Sequence, residues 1–118
     1  MAGARGEVTI QLADREVTVL FTNRALGGVE QKIGRSILAL AQGLADGGTG
    51  IGEVVILLQA GMEAARRDAR EPGPAVALNT AYDVMDEAGF GQVAAAVMEA
   101  IGAVLTWGTS SEDEDPNA

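Results

Sequence analysis

Residues 7–26 read Glu7-Val8-Thr9-Ile10-Gln11-Leu12-Ala13-Asp14-Arg15-Glu16-Val17-Thr18-Val19-Leu20-Phe21-Thr22-Asn23-Arg24-Ala25-Leu26, and the hydropathy period changes inside this stretch. Val8, Ile10 and Leu12 alternate with polar residues, and Val17, Val19 and Phe21 do the same. Period-two alternation with β-branched residues marks half-buried strands, here over 7–12 and 16–21. Ala13-Asp14-Arg15 is short enough to close a hairpin. It is not an Asn-Gly or Asp-Gly turn, so it leaves the register open. A lone hairpin is marginal in water, so this one must lie on helices or pair its free edges with another copy. From Thr22-Asn23 onward the period becomes helical. Ala25, Leu26, Val29 and Ile33 then share one face, and Thr22 or Asn23 serves as cap.

Beyond Leu26, Gly27 and Gly28 weaken this first helix by about 1 kcal/mol each relative to Ala. Gly34 suits a left-handed C-terminal cap. Ser36 starts a second short helix with Ile37, Leu38, Leu40, Ala41 and Leu44 as its apolar set, ending at Asp46-Gly47-Gly48. Thr49 is the expected cap of a third helix that runs to about Ala69. Its stripe is Ile51, Val54, Val55, Leu58 and Met62, with Glu63, Arg66, Arg67 and Arg70 expected in solvent. Arginines near its end suit the negative end of the helix dipole. Glu71-Pro72-Gly73-Pro74 is the clearest break. A fourth helix is expected over 75–88, stopped by Gly89. The last, over 90–107, aligns Phe90, Val93, Val97, Ile101 and Val104 and ends on Trp107.

The expected fold class is α+β, with an N-terminal β-hairpin over 7–21 and a mainly helical body of four to five helices over 23–107. A flexible N-terminus covers 1–6, and a disordered acidic tail covers 108–118. That tail is too polar and charged to fold alone.

The chain has 118 residues, 8 Lys+Arg against 17 Asp+Glu and a net charge of −9. Its length fits one domain. Glu112-Asp113-Glu114-Asp115 supplies part of the excess, and the rest of the chain is still acidic. An acidic body repels phosphates, which argues against a nucleic-acid partner. There is no His and no Cys. Imidazole acid–base chemistry, thiol catalysis, disulfides and the usual zinc sites are therefore excluded. No segment has the ~18 apolar residues of a membrane span, and the opening residues lack the apolar run of a signal peptide. A cytoplasmic location and no membrane partner are the expectations. Aromatics are only 3% and glycine is abundant. Such a core is thin, and self-association into a homo-oligomer would add to its stability.

Five features invite a functional reading. Gly47-Gly48-Thr49-Gly50-Ile51-Gly52 has the glycine density of a phosphate loop. It lacks the lysine and the leading strand, and Glu53 stands where positive charge is needed. A linker and helix cap is the better reading. Asp83, Asp86 and Glu87 lie within about one helical turn but lack calcium-loop spacing and the His ligands of bundle metal sites. They read as a solvated face. Lys32 is the sole lysine, on a polar helix side near Glu30, without the desolvation or crowding that activates a catalytic amine. Trp107 is the sole Trp. It either closes the core or, as an amphipathic aromatic, contributes to a protein contact. The acidic tail is either a solubilising appendage or a tether that meets a basic partner. No enzyme activity, cofactor or metal is expected.

The order of these elements also resembles a known family. The hairpin is followed by Phe21-Thr22-Asn23-Arg24-Ala25-Leu26, Val29-Glu30-Gln31-Lys32-Ile33-Gly34, Ser36-Ile37-Leu38-Ala39-Leu40, a glycine-rich break, and Glu53-Val54-Val55-Ile56-Leu57-Leu58-Gln59-Ala60-Gly61-Met62. Over roughly residues 6–107 this is similar to the tail assembly chaperones of long-tailed phages and of phage-like gene transfer agents. Some schemes file the same family as a gene-transfer-agent tail tube protein. Gly27-Gly28 departs from the better helix formers that family members more often carry there.

The resemblance implies a non-catalytic role. Such chaperones coat the helical tape-measure protein before tail tube subunits polymerise around it, and they are absent from the finished particle. A longer frameshifted form often recruits the tail tube protein, a second expected partner. Helix-in-groove contact by the last helix would make Phe90, Val93, Val97, Ile101, Val104 and Trp107 the partner-binding residues. The alternative is a structural tail subunit, tube or connector. That role favours longer β content than two short strands, because tube walls grow by sheet extension.

Overall fold

The computed structural model describes the backbone of residues 6–113 and the side chains of residues 6–106. Strands β1 (Val8–Gln11) and β2 (Glu16–Val19) pair antiparallel, with Val8 opposite Val19 and Ile10 opposite Val17. Helices α1 (Asn23–Ile33), α2 (Ile37–Asp46), α3 (Ile51–Asp68), α4 (Leu78–Ala88) and α5 (Phe90–Asp113) follow. This is the expected α+β order of hairpin and five helices.

The hairpin lies on helices, β1 against α5 and β2 against α3. Val8, Ile10, Leu12, Val19 and Phe21 are buried on its inner side, while Thr9, Gln11, Glu16 and Thr18 face outward. Period-two alternation thus produces one dry face. α3 is the central element, in contact with α1, α4, α5 and β2. Its Val54, Val55, Leu57 and Leu58 are wholly buried. Gly61 makes the fit over β2 possible. A methyl group there would strike Val19 Cγ1 and the Phe21 ring. Its bare backbone instead accepts the Leu20 N–H at 3.1 Å.

The helix ends follow capping chemistry. Thr22 Oγ1 accepts the Ala25 N–H at 3.0 Å, and Ser36 Oγ accepts the Ala39 N–H at 3.1 Å. Gly34 and Gly47 end α1 and α2 in the left-handed region, at φ 84° and 88°. Glu30 accepts the Ile37 N–H at 2.8 Å, so the end of α1 holds the start of α2.

Several expectations are corrected. Gly50, not Thr49, caps α3. The Thr49 hydroxyl turns inward and donates to the Leu40 carbonyl at 2.9 Å, seated over the bare Cα of Gly43. α4 begins at Leu78 rather than at 75. Its approach is held extended because Val76 donates its N–H to Glu63 and accepts from Gln59. Ile51 and Leu38, assigned to apolar stripes, are 58% and 70% exposed. Ile51 stands in the first turn of α3, and Leu38 on the outer side of α2. Glu63 and Arg66, expected in solvent, are half-buried in an ion-pair network.

Helical backbone continues to Asp113, past the expected end at Trp107. The Trp107 side chain and the proposed disordered stretch beyond 113 lie outside the described residues, as does most of the expected flexible N-terminus. Gly6, at φ 84°, is buried against Ala103. Among the described residues no single helix is long and apolar enough to cross a membrane.

Candidate functional site

The last helix does not present the stripe expected to bind a partner. Val93, Val97 and Ile101 are wholly buried in the core, Val104 is half-buried and Phe90 is 40% exposed. Trp107 lies outside the described side chains. The physical reason is simple. A helix face packed on its own protein and one kept for a partner share the same spacing, and α5 spends its face on β1, α2, α3 and α4.

A groove lies elsewhere, between α1 and α3. Its volume is about 550 Å³. α1 contributes Arg24, Gly28 and Lys32 on one line and Ala25 and Val29 on the next. Residues four apart on a helix stand one above the other, so each set forms a stripe. α3 contributes Ile56, Ala60 and Ala64 on one stripe that ends at Asp68, with Gln59, Glu63 and Arg67 beside it. Apolar side chains, three of them alanine, make the floor, and mostly charged ones make the rim. Gly28 has nothing within 4 Å of where a Cβ would stand, so its position opens directly into free space.

The α3 rim is electrostatically set. Glu63 accepts from Arg66 at 2.8 Å and from Arg67 at 2.9 Å, and it takes the Val76 N–H at 2.8 Å. These bonds, the Arg66 pair foremost, hold its carboxyl far below the usual carboxylate range. It is a fixed anion, not a proton donor near neutrality. Arg66 also donates to the carbonyls of Glu71 and Gly73, at 2.8 and 3.3 Å, so the Pro/Gly loop is strapped to α3. On the α1 rim Arg24 and Lys32 are exposed and make no ion pair among the described residues. The groove therefore offers an apolar floor, an α3 rim held by ion pairs and an α1 rim that carries Arg24 and Lys32.

The other candidates find structural places. In the 47–52 segment the N–H groups of Gly47 and Thr49 go to the Gly43 carbonyl, that of Gly48 to Asp46 and that of Gly50 to Glu53. Those four amides are committed, so a phosphate would find none of them free. Glu87 pairs with Arg15 at 3.0 Å across to the hairpin turn, while Asp83 and Asp86 face solvent. Among the described residues no group of three or more acids is placed to hold a metal ion. Sequence reading missed the groove itself. Its only local trace is the Arg24, Gly28, Lys32 spacing, which gains meaning once α3 stands beside α1. Comparison of the chain with protein-family models, curated proteins and solved structures finds no match.

Proposed function

We propose that this chain is a non-catalytic assembly chaperone of a phage or phage-like tail. It shields the tape-measure protein before tube subunits polymerise, helps recruit those subunits, and acts in the cytoplasm of a bacterial host. The observation that carries the reading is the groove between α1 and α3. Its floor of Ala25, Val29, Ile56, Ala60 and Ala64 is apolar and low, and Gly28 lets a foreign backbone approach closely. An apolar cleft along two helices suits an amphipathic helix laid into it, and tape-measure proteins are long and helical. The two-stranded hairpin is short for a tube wall built by sheet extension, so a structural tail subunit is the weaker alternative.

Co-expression with a phage tape-measure protein tests the reading. The expected result is a clear rise in that partner's soluble yield and a complex that co-purifies. No rise, with this chain recovered instead in assembled particles, establishes the structural-subunit alternative.

A further inference from the structure

We propose that the α1–α3 groove selects its guest by charge: an amphipathic helix of a partner protein whose apolar face is bordered, on the α1 side, by acidic residues about seven apart. The inference deepens the chaperone reading and rests on it for the partner's identity. Arg24 and Lys32 stand at the i and i+8 positions of α1, about 12 Å apart along the axis. Gly28 lies midway between them on the same line. Arg15, Arg35, Arg66 and Arg67 are all held by carboxylates of this chain. Arg24 and Lys32 have no such partner among the described residues; Arg70 has none either, but it does not line the groove. In a chain of 17 acids and 8 bases, two uncommitted cations aligned on one edge of a groove are a departure from the general charge. The opposite edge is mixed, because Arg67 leans on Glu63 and Asp68 follows it. Charge complementarity therefore belongs to the α1 edge, and it calls for an acidic partner.

Gly28 supplies an independent argument. Glycine inside a helix is about 1 kcal/mol less favourable than Ala. Nothing in the structure crowds this position, so an alanine would fit and would stabilise α1. What the bare backbone provides is space between the two cations for a helix to seat against. On such a guest, carboxylates one heptad apart come level with both Arg24 and Lys32.

The probe is a synthetic helix of about 21 residues with a leucine–alanine face and two glutamates seven apart on its border, titrated into the full chain by calorimetry. Its matched controls carry glutamine or lysine at those two positions. The glutamate helix is expected to bind best and to weaken as salt rises. The double variant R24E/K32E, with both sites on the surface, is expected to lose about tenfold for the glutamate helix and to gain for the lysine helix. Gly28→Leu should abolish binding while the thermal midpoint holds or rises, which separates a filled groove from a failed fold. Equal affinity for all three helices, or binding untouched by R24E/K32E, overturns the charge selection. Self-association abolished by Gly28→Leu, without binding of any probe, overturns it in favour of a second copy as occupant. If co-expression raises the partner's yield and R24E/K32E leaves that rise intact, the selection falls and the chaperone reading stands. If the probe behaves as expected but no yield rises, the chaperone reading falls and the groove's preference stands.

Discussion

The Glu63 carboxylate accepts the backbone N–H of Val76 at 2.8 Å across thirteen residues of chain, and this bond fixes where the Pro/Gly loop returns to α3. Arg66, on the same helix, holds both Glu63 and the carbonyls of Glu71 and Gly73. One carboxylate thus ties loop, helix and groove rim together.

Acid should loosen this tie. The carboxyl of Glu63 is held well below its ordinary value in the fold, chiefly by Arg66 and then by the Val76 N–H. A depressed folded value means the stabilisation is fully present above the unfolded carboxyl range near pH 4, and is lost as pH falls below it toward the folded value. Urea midpoints at pH 7 and pH 3 should therefore differ more for the native chain than for Glu63→Gln. That variant is expected to be about 2 kcal/mol less stable at pH 7, since it weakens charge-assisted bonds in a half-buried site. An identical pH response in both proteins would remove Glu63 as the source.

Glycines of this chain should respond oppositely according to their surroundings. Gly27→Ala and Gly28→Ala meet no neighbour, and each should raise stability by up to about 1 kcal/mol. Gly61→Ala drives a methyl group into Val19 and Phe21 and should lower it by about 1–3 kcal/mol. Thermal melts of the three variants check the pattern, and a destabilising Gly28→Ala would contradict the open groove.

Thr49→Val removes the buried hydroxyl that donates to the Leu40 carbonyl from an otherwise exposed loop. A loss of about 1 kcal/mol is expected, with Thr49→Ser close to the native value. Chemical denaturation of both variants separates this inward bond from simple packing, because valine fills the same space.

Two substitutions on α5 divide core from surface. Ile101→Asp places a charge in a fully buried position and should abolish the cooperative transition. Phe90→Asp, at a position 40% exposed, should remain folded and still bind the groove's guest. Circular dichroism with probe titration measures both. Loss of binding by a folded Phe90→Asp would return the contact surface to α5.

The hairpin, the helix order and most caps were legible in the sequence because each rests on neighbours. Val8, Ile10 and Leu12 alternate, Gly34 follows a helical run, and Ser36 precedes the next. Thr49 was misjudged because a hydroxyl that caps and one that turns inward occupy the same position in sequence. Only the packing of α2 on the loop over Gly43 decides between them. The α5 stripe was misjudged for a related reason, since periodicity reports an apolar face but not what covers it. The groove was illegible because it belongs to two helices at once. Arg24 and Lys32 look like ordinary surface charges until Ala60 and Ala64 are seen facing them.

The central claim is that a partner helix seats in the groove between α1 and α3. Amide chemical shifts of the isotopically labelled chain, recorded while the glutamate helix is added, report that contact residue by residue. The expected result is a set of shifts concentrated at Ala25, Gly28, Val29, Ile56, Ala60 and Ala64, absent in Gly28→Leu. Shifts confined to the exposed side of α2 around Leu38, or to the outer edge of the hairpin, would contradict it.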